Sequence, residues 1–317
     1  ALVSLERVLA RTASTPEGFI SVDPHHLGLG PVTIQAVALY EDKEAVRSPP
    51  LSFRLAHLDQ PPAVTISVAD PDSNGVTRLK AVATDPEADT TRIEWLSPLP
   101  YGTDIPHAEW TLNGGTAEEA EGVITAKAVQ DIAVAHIAWP GATNTTELCA
   151  DISVPASSGP MLQQVAVLVF DYEGPETFSF FGLFGDASSW VMGRREAGEW
   201  KRAVTRGAYI EPGTWHRVSL RERDQGGVAA YLNDEYLCSW PEGRLAGPGV
   251  GIAAGATGGQ FRSLRVAPAC YPVGAFESAE DTLLIVDPNA AAGRSVIARG
   301  RDQVKSLEST WTIPDEK

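Results

Sequence analysis

Glycosidic-bond hydrolysis needs two carboxylates flanking the bond, one as acid and one as nucleophile or base. Glu147-Leu148-Cys149-Ala150-Asp151 comes closest to supplying such a pair, while Glu118, Glu119 and Glu121 fall in a polar loop. The six histidines are scattered, and His25-His26 beside Asp23 lack a third spaced ligand, so they read as solvated turn residues. His216 sits in a strand-like stretch and reads as a packing residue. A serine nucleophile elbow, a Walker loop and a zinc-type cysteine pair are all absent from the sequence.

Two other chemistries have candidate residues. Asp70-x-Asp72-x-Asn74-Gly75 sets three oxygen donors at alternate positions before a glycine turn, as at the start of a calcium loop. The bidentate glutamate expected at the twelfth position is missing, since residue 81 is Ala; Asp85, Glu87 and Asp89 form a similar stretch. Asp-Pro and Asn-Gly are also ordinary turn formers, so calcium is the weaker reading of Asp70, Asp72, Asn74, Asp85 and Asp89. Aromatic faces stack on the C–H surfaces of sugar rings, and Tyr172, Trp190, Trp200 and Trp240 could build such a platform, with Arg194 and Arg195 as donors. Aromatics also fill sandwich cores, and Trp215 reads that way.

The elements that must hold these residues read as strands. The chain has 317 residues, more than one sandwich needs, and 43% are hydrophobic, enough for proper cores. With 29 Gly and 23 Pro, many short strands joined by turns fit better than long helices. The net charge of −16 repels phosphate backbones and anionic lipid, which argues against nucleic acid and membrane-surface partners. No apolar run approaches the roughly 18 residues of a spanning helix. Three cysteines do not describe a disulfide scaffold; a single Cys238–Cys270 bridge and buried free thiols both fit. The chain begins at Ala1 inside what reads as a domain, so a processed or excised piece of a longer polypeptide is expected.

Residues 31–55 alternate around a polar Glu41-Asp42-Lys43 turn and predict a hairpin, followed by a linker at 57–62. Strands follow at 63–70, 77–85 and 91–99, separated by turns at 70–75 and 85–90. The "ATDP-x-x-D" turn leading to a strand with Trp95 resembles bacterial immunoglobulin-like domains repeated in surface proteins. A repeat links 20–53 to 284–313: Val22-Asp23-Pro24 matches Val286-Asp287-Pro288, Ile34-Gln35-Ala36 matches Val296-Ile297-Ala298, and Val46-Arg47-Ser48 matches Leu307-Glu308-Ser309. The expected arrangement is the C-terminal half of an immunoglobulin-like domain at 1–57, and a second, split one at 61–104 plus 271–314. A further domain at 107–268 is then inserted in one of its loops; the rival is three domains in a row ending in a lone hairpin, which is marginal in water.

That inserted segment has turns every eight to twelve residues. Gly213, Trp215, His216 and Val218, then Ala230-Tyr231-Leu232-Asn233-Asp234, Gly249-x-Gly251-Ile252 and Phe261-x-x-Leu264-x-Val266 resemble the closing strands of concanavalin A-like, laminin-G-like jelly rolls. Hydrolase branches of that family carry Glu-x-Asp-x-x-Glu, and no such string occurs here. The resemblance implies an all-β jelly roll inserted in or flanked by immunoglobulin-like sandwiches in a bacterial, secreted or cell-surface protein, and the missing carboxylate string argues against an enzyme. Its partners would be a glycan or surface protein, with immunoglobulin-like spacers presenting an adhesion or glycan-binding module. The alternatives are a purely structural component that self-assembles in a surface layer or fibre, or the accessory region of a larger secreted hydrolase.

Overall fold

A computed structural model describes residues 2–4, 7–10, 30–40, 43–55, 60–69, 76–99, 101, 109–138, 144–155, 164–185, 189–207, 213–223, 226–269, 276–280, 282–286, 292–302 and 306–314. Every regular element of length among these residues is a strand, and the paired strands run antiparallel. Two compact units separate at residue 60.

In the first unit, Gly30–Tyr40 pairs with both Lys43–Arg47 and Leu51–Leu55, and Leu2–Ser4 adds to its side. The hairpin expected at 31–55 is therefore a three-strand arrangement sharing one long strand. The Ser48 N–H donates to the Ala36 carbonyl. In the second unit Ser295–Arg301 pairs with Ser306–Thr312 and sets Ala298 opposite Ser309. The two copies of the sequence repeat thus share one hairpin register.

The second unit is dominated by a jelly-roll sandwich of two antiparallel sheets. The seven-stranded sheet runs Glu199–Gly207, Ser189–Glu196, Thr177–Gly185, Gln164–Gly174, Val250–Ala254, Ala133–Ala138, Glu109–Asn113. The facing sheet contains, in order, Glu235–Trp240, Val228–Leu232, His216–Glu222, Glu147–Ser153 and Gly259–Ala267. Between them lies one core, including Leu148, Ala150 and Ile152 from one sheet and Ala166, Leu168 and Phe170 from the other. Fully burying each large apolar side chain there contributes roughly 1.5–3 kcal/mol.

Alternation is lost in Glu147–Ser153 because all seven residues are buried. Its even-numbered side chains enter the jelly-roll core, while Cys149 packs with Leu96, Ala267 and Ile297 on the opposite face. That second face is covered by strands from either end of the unit. Arg92–Pro98 joins the edge of Gly259–Ala267 at Ser97 and Pro98, then pairs with Ser295–Arg301. Ala63–Ala69, Arg78–Thr84, Leu283–Val286 and Phe276–Glu280 form a four-stranded sheet. Leu79, Trp95, Leu284, Val296 and Ala298 make the core between these two layers. Strands flanking the jelly roll in sequence thus close on one another in space.

Candidate functional site

The outer face of the seven-stranded sheet carries a second apolar cluster, including Val167, Val169, Tyr172, Phe178, Phe180, Phe184 and Val191, with half-buried Trp200 packed on it. Simple alternation would aim Tyr172 into the core with Phe170. A bulge intervenes: Asp171 adopts φ 47° and the register with Thr177–Gly185 shifts between Phe170 and Gly174, turning Tyr172 outward. There its ring stacks on His136 at 3.8 Å. Burial lowers the His136 imidazole's affinity for protons, partly offset by a hydrogen bond with the Thr111 backbone.

Trp200 is placed by a tight hairpin. Ala197 and Gly198 both have positive φ, the signature of a two-residue turn matching strand twist, and Arg195 falls directly opposite Trp200. A Cβ on Gly198 would lie 2.7 Å from Glu176 Oε2, so glycine lets this turn approach the carboxylate. The Arg195 guanidinium lies 5.0 Å from the Trp200 ring centroid, and the indole packs edge-on to Phe178, Phe180 and Phe184. Arg195 is buried, and its Nη2 donates to Asp131 Oδ2 at 2.5 Å and Glu176 Oε2 at 3.1 Å, both on largely exposed side chains. One buried cation therefore fixes two exposed carboxylates beside an indole. The remaining Arg195 Nε and Nη1 have no hydrogen-bond acceptor among the described residues.

Of the aromatics expected to form a platform, the structure brings only Tyr172 and Trp200 into this cluster. Trp190 is 1% exposed inside the sandwich, stacked on Phe181 and edge-on to His216, so it is a core residue. The same strand points Val191 outward; one step of register separates core from surface. Trp240 lies on the edge strand of the facing sheet, its indole N–H donating to Glu242. Of the two expected donors, Arg194 is occupied by Asp171 (2.5 Å), Glu173 (2.6 Å) and Glu196 (3.5 Å), while Arg195 stands against Trp200. Trp215 is half-buried beneath the Arg262 guanidinium at 4.3 Å rather than filling the core.

Asp85 serves its turn: its Oδ1 accepts from the backbone N–H groups of Glu87 and Asp89. Among the described residues, no three His, Cys, Asp or Glu side chains are grouped to hold a metal. Asp70, Asp72 and Asn74 lie outside the described residues. Cys149 and Cys238 are buried free thiols, and Cys270, the other half of the bridge weighed for Cys238, lies outside the described residues.

Glu147 and Asp151 do not flank an open cleft. Asp151 pairs with Arg217 and Arg262. Glu147 is buried where the jelly roll meets the flanking strands, 2.8 Å from Arg299 Nη1 and 3.2 Å from Arg221 Nε. Burial alone would raise its carboxyl, but Arg299 and Arg221, with a Cys149 hydrogen bond and Arg301, hold it far below the usual carboxylate range. Arg299 is 1% exposed and also approaches Glu94 and Glu308; Arg265 pairs with Glu308 at 2.9 Å. This ionic joint is the largest feature that sequence reasoning missed. Its one local signal was a glutamate inside the apolar strand 147–153.

No protein-family model matches the sequence, and no curated protein matches it. Solved structures with a similar course over about half the chain include a carbohydrate-binding module from Bacillus subtilis (10% identity, 53% of this chain and 100% of that one, TM-score 0.43). A Caenorhabditis elegans galectin has 10% identity over 52% of this chain and 99% of its own, with TM-score 0.33. The exoplasmic/lumenal domain of VIP36, in a calcium- and mannoside-bound form, has 12% identity over 54% of this chain and 86% of its own, with TM-score 0.38.

Proposed function

We propose that the chain is a non-catalytic glycan-binding module, and that Trp200, Arg195, Asp131 and Glu176 are its recognition group. The observation that carries this reading is the buried Arg195 holding two exposed carboxylates beside the half-buried indole. Indole edges and faces accept the apolar C–H surface of a pyranose, while carboxylates accept hydrogen bonds from adjacent hydroxyls. A hydrolytic pair needs one carboxyl to give its proton to the leaving oxygen. Here both carboxylates are engaged as acceptors by one donor-only guanidinium, which suits binding. In this reading 107–268 is the binding jelly roll, set into a split immunoglobulin-like domain at 61–104 plus 271–314. Residues 1–57 are then the end of a preceding immunoglobulin-like domain. In this reading the ionic joint ties spacer to module, which suits an extracellular protein presenting a ligand face at a cell surface.

The test is a glycan array followed by titration of the strongest hit. Trp200→Ala and Glu176→Gln should each weaken binding by at least about tenfold, or 1.4 kcal/mol. If the wild-type protein binds nothing on an array of neutral and acidic glycans, the reading fails. Wild-type affinity in both variants would move the site elsewhere.

A further inference from the structure

A polar cavity of about 880 Å³ lies on the opposite side of the jelly roll, where the facing sheet meets the flanking strands. Four arginines line it: Arg92 and Arg301 from one wall, Arg221 and Arg223 from the other. Two of them are held in place. Arg301 Nε lies 3.3 Å from Glu94, and Arg221 Nε lies 3.2 Å from Glu147 with its guanidinium 4.2 Å over the Tyr231 ring. The other two are exposed, and no carboxylate among the described residues pairs with either; the Arg223 guanidinium lies 3.4 Å from the Ser239 hydroxyl. Glu94 is occupied by Arg301 and Arg299. The lining as a whole sets four arginines against Glu94, the buried Asp302 and the exposed Glu222, a surplus of one positive charge, and its two exposed cations are Arg92 and Arg223.

From this we infer that the cavity is a binding site for an acidic oligosaccharide, one whose sugar rings carry carboxylates. The volume falls within the roughly 300–1,000 Å³ of ordinary ligand sites. Its walls are polar, so the ligand is polar. A guanidinium presents a planar fork that matches a carboxylate bidentately. Glu222 and Thr90 stand in the same lining as hydroxyl acceptors, which would repel a bare phosphate or sulfate but suit a ring bearing both an acid and hydroxyls. The overall charge of −16 does not forbid an anion here. Its field is screened over about 8 Å at physiological salt, leaving the nearest arginines to decide. The site is separate from the Trp200 face, and it borrows from the reading of that face only the idea that the ligand is a saccharide.

The probes are tetragalacturonate and the neutral tetrasaccharide of galactose, titrated by calorimetry into the wild-type protein, Arg92→Ala/Arg223→Ala and Trp200→Ala. Both arginines are exposed, so the double variant should keep the wild-type thermal midpoint. Tetragalacturonate should bind the wild type and Trp200→Ala alike, lose at least tenfold in affinity in the double variant, and weaken with added salt. Three outcomes overturn the inference: no tetragalacturonate binding by the wild type, equal binding by the double variant, or a loss in Trp200→Ala alone. A tenfold loss of the neutral tetrasaccharide in the double variant also overturns it, because charge would not then be what is recognised. Failure of the Trp200 reading leaves this result standing, since each face has its own variant.

Discussion

Replacing Glu147 by Gln removes one negative charge from the joint while keeping nearly the same shape. Arg299, Arg221 and Arg301 then face each other without the carboxylate between them. Breaking a buried ion pair from one side costs about 3–5 kcal/mol. The depressed proton affinity of the carboxyl points the same way. The carboxyl is held at about 2 against an ordinary 4.5, and at about 1.4 kcal/mol per unit this corresponds to about 3 kcal/mol at pH 7. Because the folded value is depressed, that contribution is complete above pH 4.5 and disappears as pH falls towards 2. At pH 3 it should be roughly half of its size at pH 7. Urea denaturation followed by far-ultraviolet circular dichroism, at pH 7 and pH 3, measures the gap between wild type and Glu147→Gln. The argument is refuted if the gap at pH 7 is below about 1 kcal/mol, or if it is as large at pH 3 as at pH 7. The first result would mean that desolvation cancels the pairing, the second that the loss is of packing and not of charge.

Other expectations concern the core and the thiols. Trp190→Ala should cost about 3–5 kcal/mol in urea denaturation because it empties a site that is 1% exposed; a loss under 1 kcal/mol would place the indole outside the core. Cys149 is fully buried, and desolvation followed by the Glu147 charge raises its thiol to about 11. It should therefore resist a disulfide-exchange reagent at pH 8 until urea unfolds the protein. Rapid labelling of the native state would contradict that.

Much of the architecture was legible in short-range patterns. Alternation and turn chemistry located most strands, and the repeat at 34–36 and 296–298 marked hairpins that do share one register. The aromatic candidates fared unevenly. Trp190 and Val191 are adjacent, yet one fills the sandwich and the other lies on its outer face. Strand periodicity says that they differ but not which points inward, because Thr177–Gly185 and Ser189–Glu196 are apolar on both faces. Arg194 and Arg195 present the same ambiguity: Asp171 and Glu173 take the first, and Trp200 with Asp131 and Glu176 takes the second.

What the sequence determined by itself was the class of structure: an acidic, turn-rich, all-β chain without the strings of residues that common hydrolytic and nucleotide chemistries require. Those properties follow from period-2 patterning and residue type, which act over a few neighbours. Tertiary structure decided which charges meet. Arg299 and Glu147 stand 152 positions apart and meet at 2.8 Å, and Arg195 reaches 64 positions back to Asp131. A buried charge is tolerable only beside its partner, and the partner is set by how sheets stack. The same stacking leaves Arg92 and Arg223 with an open cavity to face.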